Sequence, residues 1–186
     1  MRRGSLASIC LIGIVILGRL GAVHGADLTF SPHVRSEHPW ILQLLEDGRN
    51  RSPTLRRLLD HLEQSNGIVH IQEGSCPMAA MRGCLAIWMT SVSDVRFLRI
   101  RIDPRLPRND ELIALMAHEL WHASEVLDDK SITSDRGMIL LFKRIGGPIG
   151  LESYETTGGR KTEFTVAREL SSVPTTPARG SRDEVR

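Results

Sequence analysis

Residues 110–127 constrain the fold more strongly than any other part of the sequence. Their apolar members recur at helical spacing and supply the surface that a buried helix needs. These apolar residues are Leu112, Ile113, Leu115, Met116, Leu120 and Val126. Asn109 or Asp110 suits the N-cap, and Glu111 is favourable near the positive end of the helix dipole. The segment therefore predicts a helix that packs against other elements.

A His-Glu-x-x-His pattern lies within this predicted helix, at His118, Glu119 and His122. Positions i and i+4 of a helix share one face, so the two imidazoles can converge on one metal ion. Zinc accepts such nitrogen ligands at about 2.0–2.1 Å. Glu119 is displaced sideways from that face and can reach a water beside the metal, where it would act as general base. The pattern thus predicts Zn2+ at His118 and His122 and a catalytic role for Glu119.

A second interpretation of these residues needs no metal. His118 and His122 would then be partly buried core histidines, and Glu119 a surface charge. Apolar neighbours on both sides and a strand predicted ahead of the helix favour the metal site, with Trp121 packed in the core behind it. The sequence contains no nucleophile elbow, phosphate-binding loop or dinucleotide-binding fingerprint, which removes the commonest rival classes of enzyme.

The arrangement resembles the zincin metallopeptidases. In that family a strand ahead of the metal-binding helix binds extended substrate, and Val95–Ile102 occupies this place in the sequence. Glu125 and Asp128 stand where a metzincin has glycine and histidine. The resemblance is therefore to the gluzincin type, which takes a glutamate from a later helix as third ligand. Residues 114–170 also resemble a group of uncharacterised exported bacterial HExxH proteins.

This resemblance implies further site residues downstream. Glu155, at the start of the predicted last helix, is the expected third ligand. Glu163 is the alternative, because Gly158-Gly159 weaken the start of that helix. Tyr154 would donate a hydrogen bond to an oxyanion as a catalytic residue, or else pack as an ordinary tyrosine. Glu125 would orient an imidazole, or else form a surface salt bridge.

The first 25 residues have the features of a secretory signal peptide. Arg2 and Arg3 precede an apolar run over residues 6–18, which is shorter than the roughly 20 residues that span a bilayer. An uncleaved N-terminal membrane anchor is the alternative. Because an exported chain folds in an oxidising compartment, Cys76 and Cys84 are expected to form a disulfide, with two free thiols as the alternative. We therefore expect a periplasmic or secreted protein.

The order of predicted elements indicates an α+β fold. Helices are predicted at about residues 39–47, 53–65, 110–127, 134–145 and 153–170, and strands at 68–72, 85–89 and 95–102. Arg99 and Arg101 alternate with isoleucines, so one face of the last strand is expected to be wet. The layout predicts a small antiparallel sheet with helices on one side. A metal-binding domain over residues 26–170 precedes a tail, residues 171–186, predicted to be disordered.

Charge and hydropathy limit the partners. The formal net charge is only +2, and no basic stripe with interleaved aromatic residues occurs, so nucleic acid is not expected. No segment after the leader is long and apolar enough to span a membrane. With the HExxH pattern, this predicts an exported zinc-dependent hydrolase, most simply a peptidase acting on a peptide or protein substrate. The alternative is a non-catalytic zinc-binding envelope or scaffold protein.

Overall fold

The structure is a computed structural model that describes residues 33–150 and 153–172. The predicted signal peptide, residues 1–25, lies outside these residues, and so does the predicted tail from residue 173 onward. Ser171 and Ser172, which were assigned to that tail, belong to the last helix. Within the described residues, no helix has the length and hydropathy needed to cross a membrane.

The described residues form five helices and six strands, which confirms the predicted α+β class. In chain order the elements are β1 (Val34–Arg35), α1 (Pro39–Arg51), α2 (Pro53–Glu63), β2 (Gly67–Glu73), β3 (Gly83–Val92), β4 (Val95–Ile102), α3 (Asp110–Asp128), α4 (Asp135–Ile145), β5 (Gly147–Gly150), β6 (Ser153–Glu155) and α5 (Thr157–Ser172). The last helix was predicted to cover much of residues 153–170, and α5 does so, but Glu155 does not open it. Ser153–Glu155 pairs with β5 in an antiparallel hairpin instead, and α5 follows it.

Four strands form a mixed sheet in the order β1-β2-β4-β3. β1 is parallel to β2 and β2 to β4, whereas β3 is antiparallel to β4. Within this four-stranded sheet, the antiparallel arrangement expected from the sequence is therefore limited to β3 and β4. The reason is that β4 inserts between β2 and β3. Because β3 turns back onto β4 as a hairpin, β4 regains the direction of β2.

Alternation along the central strands separates a core face from an open face. Ile71 on β2 and Leu98 and Ile100 on β4 are fully buried beneath the helices. Arg99 and Arg101 point to the other face and are half-buried, which agrees with the predicted wet face. Helix α3 packs against β2, β3 and β4 on the core side.

Helix α3 is buried along most of its length, as its apolar content predicts. The Asn109 side chain accepts a hydrogen bond from the Leu112 N–H at 3.2 Å and so caps the helix start. Leu112, Ile113 and Met116 are among the largest fully buried side chains. The helices α1, α2 and α5 also contact α3. Burial between the sheet and these helices makes α3 the central element of the domain.

A side chain from the sheet caps the other end of α3. Arg96 on β4 is 2% exposed, and its guanidinium donates to the carbonyl oxygens of Val126 at 3.0 Å and Leu127 at 2.5 Å. It also donates to the side-chain oxygen of Asn66 at 2.6 Å. The last carbonyls of a helix have no partner within the helix. Arg96 therefore supplies hydrogen bonds that water cannot supply at this depth.

A carboxylate from α5 binds the start of α2. Glu169 accepts hydrogen bonds from the Ser52 hydroxyl at 2.6 Å and from the backbone N–H and hydroxyl of Thr54 at 3.0 and 2.8 Å. Partial burial disfavours the charged form of Glu169, but these hydrogen bonds outweigh burial and hold the pKa of its carboxyl below its usual value. The ionised carboxylate thus fastens α5 to α2.

Replacing Arg96 by lysine should lower the free energy of unfolding by about 3 kcal/mol, because one ammonium group cannot reach the α3 carbonyls and Asn66 together. Arg99→Lys is the matched control on the same strand. Its guanidinium lies on the open face, 4.4 Å from the centre of the Trp88 ring, and the expected loss is below about 1 kcal/mol. Urea unfolding followed by circular dichroism measures both variants. Equal losses would contradict the capping role of Arg96.

Glu169→Gln should lower the free energy of unfolding at neutral pH by about 1 kcal/mol, allowing for partial exposure of the carboxylate. The pKa of Glu169 is lowered in the folded chain. Its contribution is therefore complete above the unfolded pKa of about 4.3 and is lost as the pH falls through the lowered folded value. Urea unfolding at about pH 7 and about pH 3 should show a smaller difference from the native chain in acid. Glu46→Gln, whose carboxylate accepts one long hydrogen bond of 3.5 Å, should show no such change.

Candidate metal centre

Helix α3 brings the two predicted histidines together on one face. The Nε2 atoms of His118 and His122 lie 3.0 Å apart, and the residues are 8% and 6% exposed. The rings meet edge to face, with their centres 4.8 Å apart. Phe142 on α4 packs its ring edge to face against His122, at 5.5 Å between centres. Both imidazoles therefore direct one nitrogen into the same small space.

The carboxylate of Glu155 completes a group of three possible metal ligands. Its Oε2 lies 3.4 Å from His118 Nε2, and its Oε1 lies 3.7 Å from His122 Nε2. One ligand atom from each residue falls within 4.8 Å of the others. Glu155 ends strand β6 and precedes α5. The glutamate predicted as third ligand is therefore in the group, although it lies before the last helix and not within it.

Two glycines allow α5 to approach this group. A Cβ atom on Gly159 would stand 2.9 Å from Cε1 and 3.0 Å from Nε2 of His122, and one on Gly158 would overlap the indole of Trp121. From the sequence, these glycines were interpreted only as residues that weaken a helix. They lie instead in the first turn of α5, where the absence of side chains lets the helix backbone pass directly over the α3 side chains.

Each histidine also has a carboxylate at its other ring nitrogen. Glu163 Oε2 lies 2.9 Å from His118 Nδ1, and Glu125 Oε2 lies 3.0 Å from His122 Nδ1. Glu163, the alternative third ligand, is thus outside the group of three and holds a histidine from behind. Glu125 has the orienting contact predicted for it. Carboxylates at these positions fix the tautomer and direct Nε2 toward a metal.

Glu125 is itself held by a neighbour on α3 and by the residue just before α5. Its Oε1 accepts hydrogen bonds from Trp121 Nε1 and from the Thr156 hydroxyl, both at 2.8 Å. The Thr156 hydroxyl accepts the Gly159 N–H at 3.0 Å, so this residue also caps α5. The capping role of Thr156 was not predicted from the sequence. A threonine before Thr157-Gly158-Gly159 is nevertheless an N-cap signal that could have placed the helix start. Trp121 packs against the core as predicted and has this polar contact in addition.

Burial and charge shift the pKa values of these groups in opposite directions. Burial disfavours the charged imidazole of His118, but its hydrogen bond to the Glu163 carboxylate and the charges of Glu119 and Glu155 outweigh burial and raise the pKa. The hydrogen bond to His118 lowers the pKa of Glu163. For Glu125, burial alone would raise the pKa, and its hydrogen bonds to His122 and other neighbours lower it overall. The His118 imidazole and the Glu163 carboxylate therefore stabilise each other's charged forms.

Glu119 faces the sheet beside the histidines. It is 4% exposed, and its Oε2 accepts the backbone N–H of Leu85 on β3 at 2.7 Å. Burial raises the pKa of this carboxyl, against the lowering effect of the nearby imidazoles. The contact with Leu85 was not predicted, because nothing in the local sequence links a strand N–H to a residue on a later helix. It sets the orientation of Glu119 relative to the edge of the sheet.

His118, His122 and Glu155 line a cleft of about 350 Å³. The edge strand β3 forms one wall with residues 84–88, and the hairpin β5–β6 forms another with Ile149, Ser153 and Tyr154. The strand expected beside the site, Val95–Ile102, is β4 and lies inside the sheet between β2 and β3. That prediction was wrong because strand order cannot be taken from chain order. The edge strand beside the candidate centre is β3.

Tyr154 and the disulfide both border this cleft. Tyr154 is half-buried on β6 and packs against the core. Its predicted role as a hydrogen-bond donor in catalysis stays a prediction. Cys76 and Cys84 form the expected disulfide. The loop that this disulfide closes contributes Pro77 and Met81 to the cleft, so the bridge fastens one rim of the cleft to the start of β3.

In comparisons with known proteins, no family model matches the chain, no curated protein is significantly similar to it, and no solved structure matches its fold. The resemblance to zincins therefore depends on the residues of the centre alone. The group of His118, His122 and Glu155 is one that could hold a metal ion.

Gly159→Ala should weaken the binding of divalent metal by at least about 10-fold, because a methyl group cannot fit beside His122 without moving α5 away from α3. Gly147→Ala is the matched control, since a Cβ there meets no atom within 4 Å. Competition between the protein and a chromogenic chelator for Zn2+ or Co2+ measures the affinity of each variant. Similar affinities in the two variants would contradict a role for this close approach.

Proposed function

We propose that this chain is a zinc-dependent hydrolase that cleaves peptide bonds, with zinc held by His118, His122 and Glu155. The convergence of these three side chains in one buried corner carries the proposal. Two imidazole nitrogens and one carboxylate oxygen form a donor set that catalytic zinc sites use, with a further position left for water or substrate. The HExxH spacing and the resemblance to gluzincins support the same conclusion.

The state of Glu155 supports the presence of an ion. Its Oε1 is buried and has no hydrogen-bond partner. Burying a carboxylate oxygen without compensation is costly, so such groups occur where a cation or another donor completes them. His122 Nε2 lies 3.7 Å from this oxygen, too far for a hydrogen bond. A cation between the imidazoles and this carboxylate would satisfy all three residues.

When bound, zinc would polarise the substrate carbonyl and make a water more acidic. The residues of the chain have separate tasks around it. The Leu85 N–H holds Oε2 of Glu119 at 2.7 Å, and we propose that the other oxygen of this carboxylate accepts the proton of the attacking water and delivers it to the leaving amine. Glu125 and Glu163 keep the Nε2 atoms of the histidines directed inward. Tyr154, on the facing wall, is the candidate donor to the developing oxyanion.

The edge strand supports a peptide as substrate. The N–H groups of Leu85 and Met89 are bound by the carboxylates of Glu119 and Asp135, at 2.7 and 2.6 Å. Between them, residues 86–88 form a bulge that faces the cleft and has no register partner on β4. An extended peptide can add to an exposed strand through main-chain hydrogen bonds. A cleft formed by a strand edge thus suits a polypeptide better than a compact small molecule.

Export remains part of the proposal. The disulfide between Cys76 and Cys84 supports folding in an oxidising compartment. Together with the predicted leader, it favours a periplasmic or secreted enzyme that acts on peptides or proteins.

The alternative is a non-catalytic zinc-binding protein. The deep burial of Glu119 and its bond to the Leu85 N–H favour this alternative, since both would also suit a carboxylate that only joins α3 to the sheet. The position of Glu119 directly after a proposed ligand favours the enzyme. The two functions differ in what happens when only the charge of Glu119 is removed.

Elemental analysis of the purified chain should find about one zinc per molecule, lost in His122→Ala and retained in Glu119→Gln. Peptide hydrolysis, measured by mass spectrometry of a mixed peptide library, should fall in Glu119→Gln by about 100-fold or more. The chain with Glu111→Gln, an exposed glutamate elsewhere on α3, should keep both zinc and activity.

Each outcome separates the candidates. Zinc retained by the native chain without any cleavage would favour the non-catalytic alternative. Cleavage that survives Glu119→Gln would show that another group acts as base. Failure to bind zinc or another transition metal after reconstitution would overturn the proposal.

A further inference from the structure

We infer that the cleft selects a substrate carboxylate, and that Arg101 is the specificity-determining residue. This inference rests on the proposed function, because it names the class of peptide that the same site would take. The selected group is either an acidic side chain or the terminal carboxylate of the bound peptide. Arg101 lines the cleft together with His118, His122 and Glu155.

The position of Arg101 is well defined on the open face of the sheet. Its aliphatic stem runs past the backbone of Gly74, where a Cβ would stand 3.5 Å from Cγ and Cδ of the arginine. Its partners across the sheet are Gln72 on β2 and Cys84 on β3, and neither is charged. Cys84 also lines the cleft and belongs to the disulfide. Arg101 therefore lies at a half-buried corner of the cleft that the disulfide fastens covalently.

The charge of Arg101 has no carboxylate partner among the described residues. The hydrogen bond found for its guanidinium is a long one of 3.4 Å to the carbonyl oxygen of Ser75. Some other arginines of the described residues do have carboxylate partners. Arg51 forms a bidentate ion pair with Asp110, with hydrogen bonds of 2.8 and 2.5 Å. Arg105 forms an ion pair with Asp103 at 2.6 Å. A guanidinium has a planar fork of donors that matches a carboxylate, and at Arg101 this fork is available to a ligand.

The surrounding charges favour an anion at this position. Glu119 is engaged by the Leu85 N–H, and the Glu155 carboxylate faces the imidazoles. With a divalent ion bound at the histidines, the ion and Arg101 together would outweigh these two carboxylates. Glu125 and Glu163 contact the far ring nitrogens of the histidines and do not line the cleft. Arg99 adds a further positive charge over the outer face of Trp88, another residue of the cleft wall. A peptide with a carboxylate is thus attracted to the β3 side of the cleft.

The test measures binding separately from cleavage. Zinc-loaded Glu119→Gln protein is titrated against three fluorescein-labelled peptides of equal length by fluorescence anisotropy. The first has internal glutamates and an amidated C-terminus. The second has glutamines and a free C-terminal carboxylate, and the third has glutamines and an amide. One or both of the carboxylate peptides should bind at least about 10-fold more tightly than the neutral peptide, and which one does so identifies the source of the carboxylate.

Adding Arg101→Gln should abolish this preference, whereas adding Arg105→Gln, an arginine with an 84% exposed side chain, should preserve it. Equal affinities for all three peptides, or a preference that survives Arg101→Gln, would overturn the inference. Cleavage of the same peptides by the active protein separates it from the proposed function. If the carboxylate peptides bind more tightly but none is cleaved, the role of Arg101 is supported and only the peptidase activity is overturned. If all three peptides are cleaved with equal kcat/KM, the peptidase activity is supported and only the role of Arg101 is overturned.

Discussion

The close contact between α3 and α5 is the constraint on which the rest of the structure depends. Helix α3 lies against the sheet and carries its two histidines on a side that α5 must cover. Gly158 and Gly159 make that cover possible, since any Cβ there would collide with the indole and imidazole rings of α3. The same approach places Glu163 behind His118 and holds Glu155, just before α5, in front of it. The contact between α3 and α5 therefore both packs the two helices together and arranges the carboxylates around the histidines.

A cluster of buried ionisable groups is stable only if its members have partners. Most of them do: each imidazole has a carboxylate at Nδ1, Glu119 has a backbone N–H, and the buried Arg96 has helix carbonyls. Glu155 is the exception, because one of its oxygens is buried without a partner. The uncompensated atom lies where the proposed ion would bind. The unfavourable burial of this oxygen and the proposed function thus fall at the same place, as is expected at functional sites.

Local signals predicted most of the helices and strands well. Asn109, one of the two predicted caps, accepts the capping hydrogen bond at the start of α3. The errors concern relations between distant segments. The sequence places Val95–Ile102 directly before the metal-binding helix, but hydrogen bonding puts β3 on the free edge. Likewise, the glycines of α5 appear costly in isolation and become necessary only beside Trp121 and His122.

By itself, the sequence determined the class of fold, the central helix and the face that His118 and His122 share, because spacing along a helix decides which side chains occupy one face. It also supplied Glu155 as a candidate through resemblance, with Glu163 as its rival. Only the tertiary structure decided between them, assigned Glu163 to the back of His118, and brought Arg101 into the same cleft. These distances join residues from separate elements, and they depend on strand order and helix packing rather than on any local pattern.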